Sequence, residues 1–167
     1  MTGWLLVGGA GQRMGGSKAI RLFRGRPLWR YGYELLCGFC SEVRLLGRCP
    51  EIELPSLIEP EPGHGPLGAI RAALQATEAP WNFVLALDYP LLDPSFLVQL
   101  GHPASGLARL PCCGQQKHPL CGYYHREIQL PSRGSVLKAL QSQPVAWVDF
   151  GVDPRFLNVN QEADLDL

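Results

Sequence analysis

The sequence predicts an α/β fold in which helices cover both faces of a doubly wound, mostly parallel sheet. In the first ninety residues strands and helices alternate, which is the order of consecutive βαβ units. A glycine-rich segment and an aspartate, Asp88, each follow directly after a predicted strand. In such sheets ligands bind at the carboxyl ends of the strands, so both features fall where a binding site is expected.

The first half of the chain supplies three strands and two helices. The predicted strands are short runs rich in apolar and β-branched residues, and the predicted helices repeat apolar residues at helical spacing. Proline at the start of the first helix suits a first helical turn. In chain order, these elements are strand Trp4–Val7, glycine loop Gly8–Ser17, helix Pro27–Cys40, strand Val43–Leu46, loop Pro55–Gly65, helix Pro66–Thr77 and strand Trp81–Leu87.

The second half continues with shorter elements. Asp93 precedes Pro94 where the N-cap of a helix is expected. No linker or internal repeat divides the 167 residues, so we expect a single domain spanning residues 1–167. The predicted elements are helix Pro94–Leu100, strands near Leu107–Leu110 and Leu120–Tyr124, a helix near Ser135–Gln141, a strand at Val145–Phe150 and a short final helix.

The charges are balanced in total but not along the chain. Fifteen basic and fifteen acidic residues give a net charge of zero. Residues 1–50 hold eight Lys/Arg against two Glu, a net +6, and the remainder holds seven against thirteen, a net −6. A neutral total disfavours binding to nucleic acid or to an anionic membrane, whereas the basic first part is compatible with a local site for a small anion.

The apolar runs and the first residues of the sequence predict a cytoplasmic protein. The longest apolar runs, Trp4–Val7 and Phe83–Leu87, are far too short for a membrane helix. The sequence begins without the basic and apolar regions of a signal peptide, so we expect the six cysteines to be reduced thiols. The alternative is structural zinc held by the pair Cys37 and Cys40 with downstream ligands from Cys112, Cys113, His118 and Cys121.

The glycine loop predicts a phosphate-binding site of an unusual kind. Glycines allow main-chain N–H groups to approach an anion, and Arg13 and Lys18 add positive charge. The dinucleotide pattern GxGxxG fails because Met14 stands where the third glycine is needed. The Walker A pattern fails as well, because Gly16 is followed by Ser-Lys instead of Lys-Ser/Thr.

In the order Gly-Gly-x-x-x-Arg-Met-Gly-x-x-Lys, residues 8–18 resemble the signature of nucleotidyltransferases, and most closely that of the molybdenum cofactor guanylyltransferase (MobA-like) family. Later motifs match that family in the same order along nearly the whole chain. They are Arg26-Pro27-Leu28, Gly65-Pro66-Leu67-Gly68, Leu87-Asp88-Tyr89-Pro90, His118-Pro119-Leu120 and Phe156-Leu157-Asn158-Val159-Asn160. The resemblance implies a three-layer α/β/α, Rossmann-like fold of the nucleotide-diphospho-sugar transferase type.

The resemblance further implies Mg2+-dependent transfer of GMP from GTP to molybdopterin, with release of pyrophosphate. Arg13, Lys18 and Asp88 would be catalytic; Asp88, a lone carboxylate at a strand end, also suits Mg2+. A turn or N-cap role for Asp88 and a free surface position for Lys18 remain alternatives. The implied nucleotide contacts are Leu6, Val7, Gly8, Gly9, Lys18, Glu59 and Asp88.

For the acceptor, the resemblance implies contacts from His118, Asn158 and Asn160, although turn, cap or ordinary strand-start roles are open for all three. It also implies transient contact with proteins that deliver molybdopterin or act as chaperones for molybdoenzymes. No nucleic-acid or membrane partner is expected.

The base-selecting positions depart from the family pattern. An asparagine usually follows the second strand, but this chain has Leu46-Gly47-Arg48. An aspartate usually precedes the Gly-Pro-Leu motif, but here Glu59 and Glu61 are the available acids. The sequence therefore leaves the choice between GTP and CTP open.

Three other functions remain to be separated. A sugar- or polyol-phosphate nucleotidyltransferase of the same fold would need a second metal carboxylate, for which Asp149 and Asp153 are the candidates. A non-catalytic nucleotide- or molybdopterin-binding accessory protein would bind GTP without making product. An NAD(P)-dependent oxidoreductase is disfavoured by the failed GxGxxG pattern.

Overall fold

The computed structural model describes residues 1–8, 17–58 and 64–159. Ten strands and four α-helices lie in these ranges, together with short 3-10 helices at Lys18–Ile20 and Pro154–Phe156. The strands are β1 Thr2–Leu6, β2 Leu22–Phe23, β3 Arg26–Pro27, β4 Glu42–Leu46, β5 Ser56–Leu57, β6 Trp81–Ala86, β7 Ala108–Cys113, β8 Gln116–Lys117, β9 Cys121–His125 and β10 Val145–Asp149. The α-helices are α1 Leu28–Cys37, α2 Gly65–Gln75, α3 Pro94–Leu100 and α4 Val136–Leu140.

One central sheet organises the described chain, with strand order β10-β7-β9-β6-β1-β4-β5 and β8 paired to β7. Neighbours within β6-β1-β4-β5 are parallel, as are β7 and β10. Strand β9 runs antiparallel to both β6 and β7. The predicted doubly wound, mostly parallel sheet is therefore confirmed, with β9 as an antiparallel insertion.

Helices pack on both faces of this sheet. Successive strand residues point to opposite faces, and on one face α1 lies against Leu5 while Phe39, just after α1, contacts the ring of Phe83. The chain leaving α2 reaches the other face, where Thr77 Oγ1 lies 3.2 Å from Thr2 Oγ1. The inner strands β1 and β6 are consequently buried almost along their whole length.

The long elements agree with the sequence prediction, and the errors concern short ones. Helix α3 has the predicted bounds, and the Asp93 carboxylate accepts a hydrogen bond of 2.9 Å from Phe96 N, which confirms its N-cap role. The hairpin β2–β3, strand β5 within the predicted loop Pro55–Gly65, and β8 were not predicted. Each of these strands has two residues, too few to show a period.

The described residues bear on the expectations for disulfide bonds, metal sites and membrane-spanning helices. All six cysteines are free thiols, and no group of three or more His, Cys, Asp or Glu side chains is gathered there to hold a metal ion. Within the same part of the chain, none of the helices combines the length and the apolarity that crossing a bilayer requires.

A glycine in α1 sets how closely this helix approaches the sheet. A Cβ atom on Gly32 would lie 2.6 Å from Leu5 Cδ1 and 3.2 Å from Leu85 Cδ2. We expect Gly32→Ala to lower the free energy of unfolding by about 1–3 kcal/mol through overpacking. The higher helix propensity of alanine acts in the opposite direction. Urea unfolding followed by tryptophan fluorescence measures the change.

Gly38→Ala is the matched control, because Gly38 caps the same helix and has an ordinary right-handed conformation. Its added Cβ would meet the backbone oxygen of Leu35 at 3.3 Å and no side chain of the core. A loss of stability in Gly38→Ala as large as that in Gly32→Ala would contradict the overpacking argument.

Candidate active site at the carboxyl edge of the sheet

The carboxyl ends of β1 and β4 meet through two glycines. Gly47 has a positive φ of 109°, and a Cβ atom on it would lie 2.7 Å from Gly8 N. A hydrogen bond of 3.0 Å from Val7 N to Leu46 O joins the two chain segments directly before these glycines. Only glycine fits at position 47, which belongs to the segment Leu46-Gly47-Arg48 that stands where the resembling family usually has an asparagine after the second strand.

At the end of β1, the residues predicted to contact the nucleotide expose main-chain atoms, while their side chains are buried or absent. Leu6 and Val7 are buried, with 7% and 8% of their surfaces exposed, whereas Gly8 is exposed. Exposed main chain at Gly8 is compatible with backbone contact to a ligand, which stays a prediction. Gly9 and Arg13 lie outside the described residues, as does Glu59.

The end of the glycine loop is tied to the segment after β4. Ser17 Oγ accepts a hydrogen bond of 3.3 Å from Ala19 N and so caps the short 3-10 helix that carries Lys18. The same oxygen lies 3.1 Å from Cys49 Sγ, which in turn donates to Glu51 Oε2 at 3.3 Å. Burial raises the pKa of the Cys49 thiol, so this thiol acts as a neutral link between the two segments.

Lys18 and Asp88 form an ion pair at the centre of this edge. Lys18 Nζ donates a hydrogen bond to Asp88 Oδ1, and the two side chains are 25% and 30% exposed. The two residues are seventy positions apart in the sequence. The fold thus joins the end of the glycine loop to the end of β6 and places a cation and a carboxylate side by side, within reach of solvent.

The other acidic candidates have structural partners. Asp149 Oδ1 accepts from Gly114 N at 3.0 Å and Gly151 N at 2.9 Å, and these backbone bonds lower the pKa of Asp149. Asp153 is bonded through both carboxylate oxygens to Arg155. Neither arrangement favours the second metal carboxylate that the sugar-phosphate alternative needs.

His118 lies close to Asp88 in the fold but is buried. Only 2% of its surface is exposed, and its Nδ1 lies 3.3 Å from Tyr89 Oη. Burial lowers the pKa of the His118 imidazole. Direct contact with an acceptor stays a prediction for His118, since in the described conformation the side chain faces Tyr89 and Phe156.

Asn158 is brought to the same region by the final described segment. Val159 N donates a hydrogen bond of 3.0 Å to the carbonyl oxygen of Asp88. Asn158 Oδ1 is buried and has no hydrogen-bond partner among the described residues, so within this part of the chain it retains an unused acceptor atom. Asn160, predicted to share its role, lies outside the described residues.

Sequence reasoning missed Tyr89 and Gly47 as parts of this site. Tyr89 was quoted only within the motif Leu87-Asp88-Tyr89-Pro90, which gave its hydroxyl no role. Gly47 was quoted only within the segment that lacks the family's asparagine; its position directly after a buried strand was the available signal of a close backbone approach.

Comparisons with known proteins agree with this architecture. The sequence profile of the MobA-like NTP transferase domain matches residues 3–145. A protein of Chloroflexus aggregans named probable molybdenum cofactor guanylyltransferase is 30% identical over 192 aligned positions, covering 100% of this chain and 92% of that protein.

Solved structures show the same fold. The crystal structure of molybdopterin-guanine dinucleotide biosynthesis protein A from Archaeoglobus fulgidus is 24% identical with a TM-score of 0.77, covering 99% of this chain and 95% of that one. For 2-C-methyl-D-erythritol 4-phosphate cytidylyltransferase from Thermus thermophilus the identity is 13% and the TM-score 0.61, with 97% and 94% covered. Given the extent of the profile match and the full-length similarity to the Chloroflexus protein, this chain belongs to the MobA-like NTP transferase family of nucleotidyltransferases.

Proposed function

We propose that the protein transfers GMP from GTP to molybdopterin in a Mg2+-dependent reaction that releases pyrophosphate. The observation that carries the proposal is the pairing of Lys18 with Asp88 at the carboxyl edge of the sheet. The name of the Chloroflexus relative supports the acceptor and the base. The cytoplasmic location and the transient delivery or chaperone partners expected from the sequence belong to the same proposal.

In this reaction an oxygen of the acceptor phosphate attacks the α-phosphorus of the nucleotide. The new P–O bond replaces the bond to the β-phosphate, and pyrophosphate leaves with its electron pair. Negative charge on the transferring and leaving groups has to be stabilised by cations and N–H donors fixed in advance. Lys18 supplies such a cation, and Arg13 and the main chain at Gly8 and Gly9 are proposed to assist.

The residues at Asp88 fit a Mg2+ ion brought in with the nucleotide. Magnesium is usually held by one or two carboxylates together with substrate phosphates and water, and Asp88 is a partly exposed carboxylate without other acids gathered around it in the described chain. When bound, the ion would neutralise phosphate charge. Lys18 keeps the Asp88 carboxylate compensated when no nucleotide is present, and a triphosphate offers Lys18 a stronger partner.

Binding of the two substrates is assigned to opposite sides of Asp88. The nucleotide contacts are proposed at Leu6, Val7, Gly8, Gly9, Lys18 and Glu59, on the side of β1 and β4. The acceptor contacts are proposed at His118, Asn158 and Asn160. Asn158 Oδ1, which has no partner within the described ranges, suits an N–H donor, which a pterin ring offers.

A second candidate is transfer from CTP within the same fold. The segment Leu46-Gly47-Arg48 lacks the asparagine that the family pattern has after β4, so the base has to be selected by other groups. The likeness to the Thermus cytidylyltransferase shows only that the fold accommodates such enzymes.

The first test removes the central ion pair. We expect Lys18→Met and Asp88→Asn each to lower the rate of pyrophosphate release from GTP, Mg2+ and molybdopterin at least about a hundredfold, the loss typical of a removed transition-state contact. Stability should fall by no more than about 1 kcal/mol, because the pair is partly solvated. Stopped assays of pyrophosphate and urea unfolding measure the two effects.

Arg126→Ala is the matched control, because it breaks an ion pair with Glu78 in the region where the chain enters β6, away from the carboxyl edge. This variant should keep the activity of the unaltered protein. Full activity in both Lys18→Met and Asp88→Asn would refute the site assignment.

The second test settles the base. Assays with GTP, CTP, UTP and ATP, each with Mg2+ and molybdopterin, should give the highest kcat/KM with GTP. A clear preference for CTP would replace the first candidate with the second. Tight GTP binding without product under all these conditions would instead support a non-catalytic accessory role.

The third test concerns a second metal carboxylate. Asp149→Asn keeps the oxygen that accepts from Gly114 N and Gly151 N but removes the negative charge. We expect the Mg2+ dependence of the activity to be unchanged in this variant. A raised Mg2+ requirement would favour a sugar- or polyol-phosphate enzyme with two metal carboxylates.

A further inference from the structure

Asp88 lies beyond the part of β6 that the sheet holds in place. At the end of this strand, a backbone hydrogen bond of 2.8 Å runs from Ala86 N to Leu120 O. Asp88 comes two residues later, so the ladder does not orient its carboxylate. Two other anchors are present: the bond of Val159 N to Asp88 O, and the side chain of the next residue, Tyr89.

Tyr89 is held inside the protein by a polar contact and an aromatic contact. Its side chain is 7% exposed, and its hydroxyl lies 3.3 Å from His118 Nδ1. Its ring meets Phe156 edge-on, with the ring centroids 6.3 Å apart. The orientation of Tyr89 therefore depends on His118 and Phe156.

These contacts form a closed series that runs from Asp88 through Tyr89, His118, Phe156 and Val159 back to Asp88, and we call this series the circuit. The His118 ring packs on Phe156 with the ring centroids 4.6 Å apart. Phe156 ends the 3-10 helix from which the chain continues through Asn158 to Val159, and Val159 bonds back to Asp88. The circuit thus links the proposed metal carboxylate to the proposed acceptor asparagine through buried groups.

The buried polar groups of the circuit do not stabilise the folded protein. His118 Nε2 and Asn158 Oδ1 are the buried side-chain nitrogen and oxygen atoms that have no hydrogen-bond partner in the described chain. Such atoms are rare and destabilising. An apolar ring at position 118 would fill the same space without that cost, so the value of the histidine lies in the bond that its Nδ1 makes with Tyr89.

We propose that Tyr89 and His118 are positioning residues, which hold the Asp88 main chain so that its carboxylate faces the nucleotide-bound divalent cation. The inference rests on the proposed function, because it assigns Asp88 the cation. This positioning role is separate from the acceptor contact proposed above for His118, because it requires no contact with a substrate: His118 acts on Asp88 through Tyr89. This role would also account for a histidine that is buried at an edge where ligands bind.

The test uses Tyr89→Phe, which keeps the ring and removes only the hydroxyl. Divalent-cation binding is measured without turnover, as the free Mn2+ signal in electron paramagnetic resonance during titration with Mn2+ in the presence of α,β-methylene-GTP. We expect the half-saturating Mn2+ concentration to rise about fivefold, as for the loss of one neutral hydrogen bond. In turnover assays kcat should fall by a similar factor, with KM for GTP little changed.

Variants of His118 separate positioning from packing. His118→Phe preserves an aromatic ring against Phe156 but cannot bond Tyr89, so it should reproduce the effect of Tyr89→Phe. His118→Asn places an amide near the position of Nδ1 and should restore most of the Mn2+ affinity, although it packs less well. If His118 only fills space, His118→Phe should instead bind Mn2+ more tightly than His118→Asn.

Tyr123→Phe is the control, since Tyr123 is also buried, at 2% exposure, and its ring packs on Phe83 in the middle of the sheet. It should leave Mn2+ binding unchanged. Unchanged Mn2+ affinity in Tyr89→Phe and His118→Phe would overturn the inference, as would the absence of nucleotide-dependent Mn2+ binding in the unaltered protein. Weakened Mn2+ binding in these variants, combined with no pyrophosphate release by any form, would uphold the positioning role and refute the proposed reaction.

Discussion

The in-register ending of three central strands is the constraint on which the rest of the structure depends. Leu6 of β1 is paired with Leu46 of β4 on one side and Ala86 of β6 on the other. Because these parallel strands end at one level, the segments that follow them leave the sheet side by side. Gly8, Gly47 and Asp88 are neighbours at one edge for this reason, although they are far apart in the sequence.

This alignment also explains why the carboxyl edge of the sheet is formed mainly by backbone and by few polar side chains. The inner strands β1 and β6 are filled mainly by buried apolar residues, and their polar side chains, Thr2 and Asn82, lie at the opposite end of the strands. Gly8 and Gly47 bring two backbones into contact, while Ser17 and Cys49 tie the same segments together one step further from the sheet. Lys18 and Asp88 then form the charged centre.

Most acidic groups near this edge serve the fold, and Asp88 differs from them. Asp93 caps a helix, Asp149 accepts two backbone bonds and Asp153 pairs with Arg155. The charges of the basic first fifty residues are also partly compensated nearby, as in the pair of Arg26 with Glu34. Asp88 instead pairs with Lys18, and both side chains of this pair stay partly exposed to solvent.

The sequence by itself determined the long elements, the mostly parallel arrangement and the position of Lys18 and Asp88 at the carboxyl edge of the sheet. Periodicity and the order of strands and helices are local properties, and a site at the end of a strand follows from them directly. It could not predict the two-residue strands such as β5, nor the antiparallel direction of β9, because pairing partners are chosen by contacts between distant segments. Only the tertiary structure decided that Lys18 pairs with Asp88, that position 47 must be glycine, and that His118 is buried against Tyr89. The physical reason is the same in each case: burial and hydrogen bonding depend on which residues the packed chain brings together, and sequence spacing does not encode those distances.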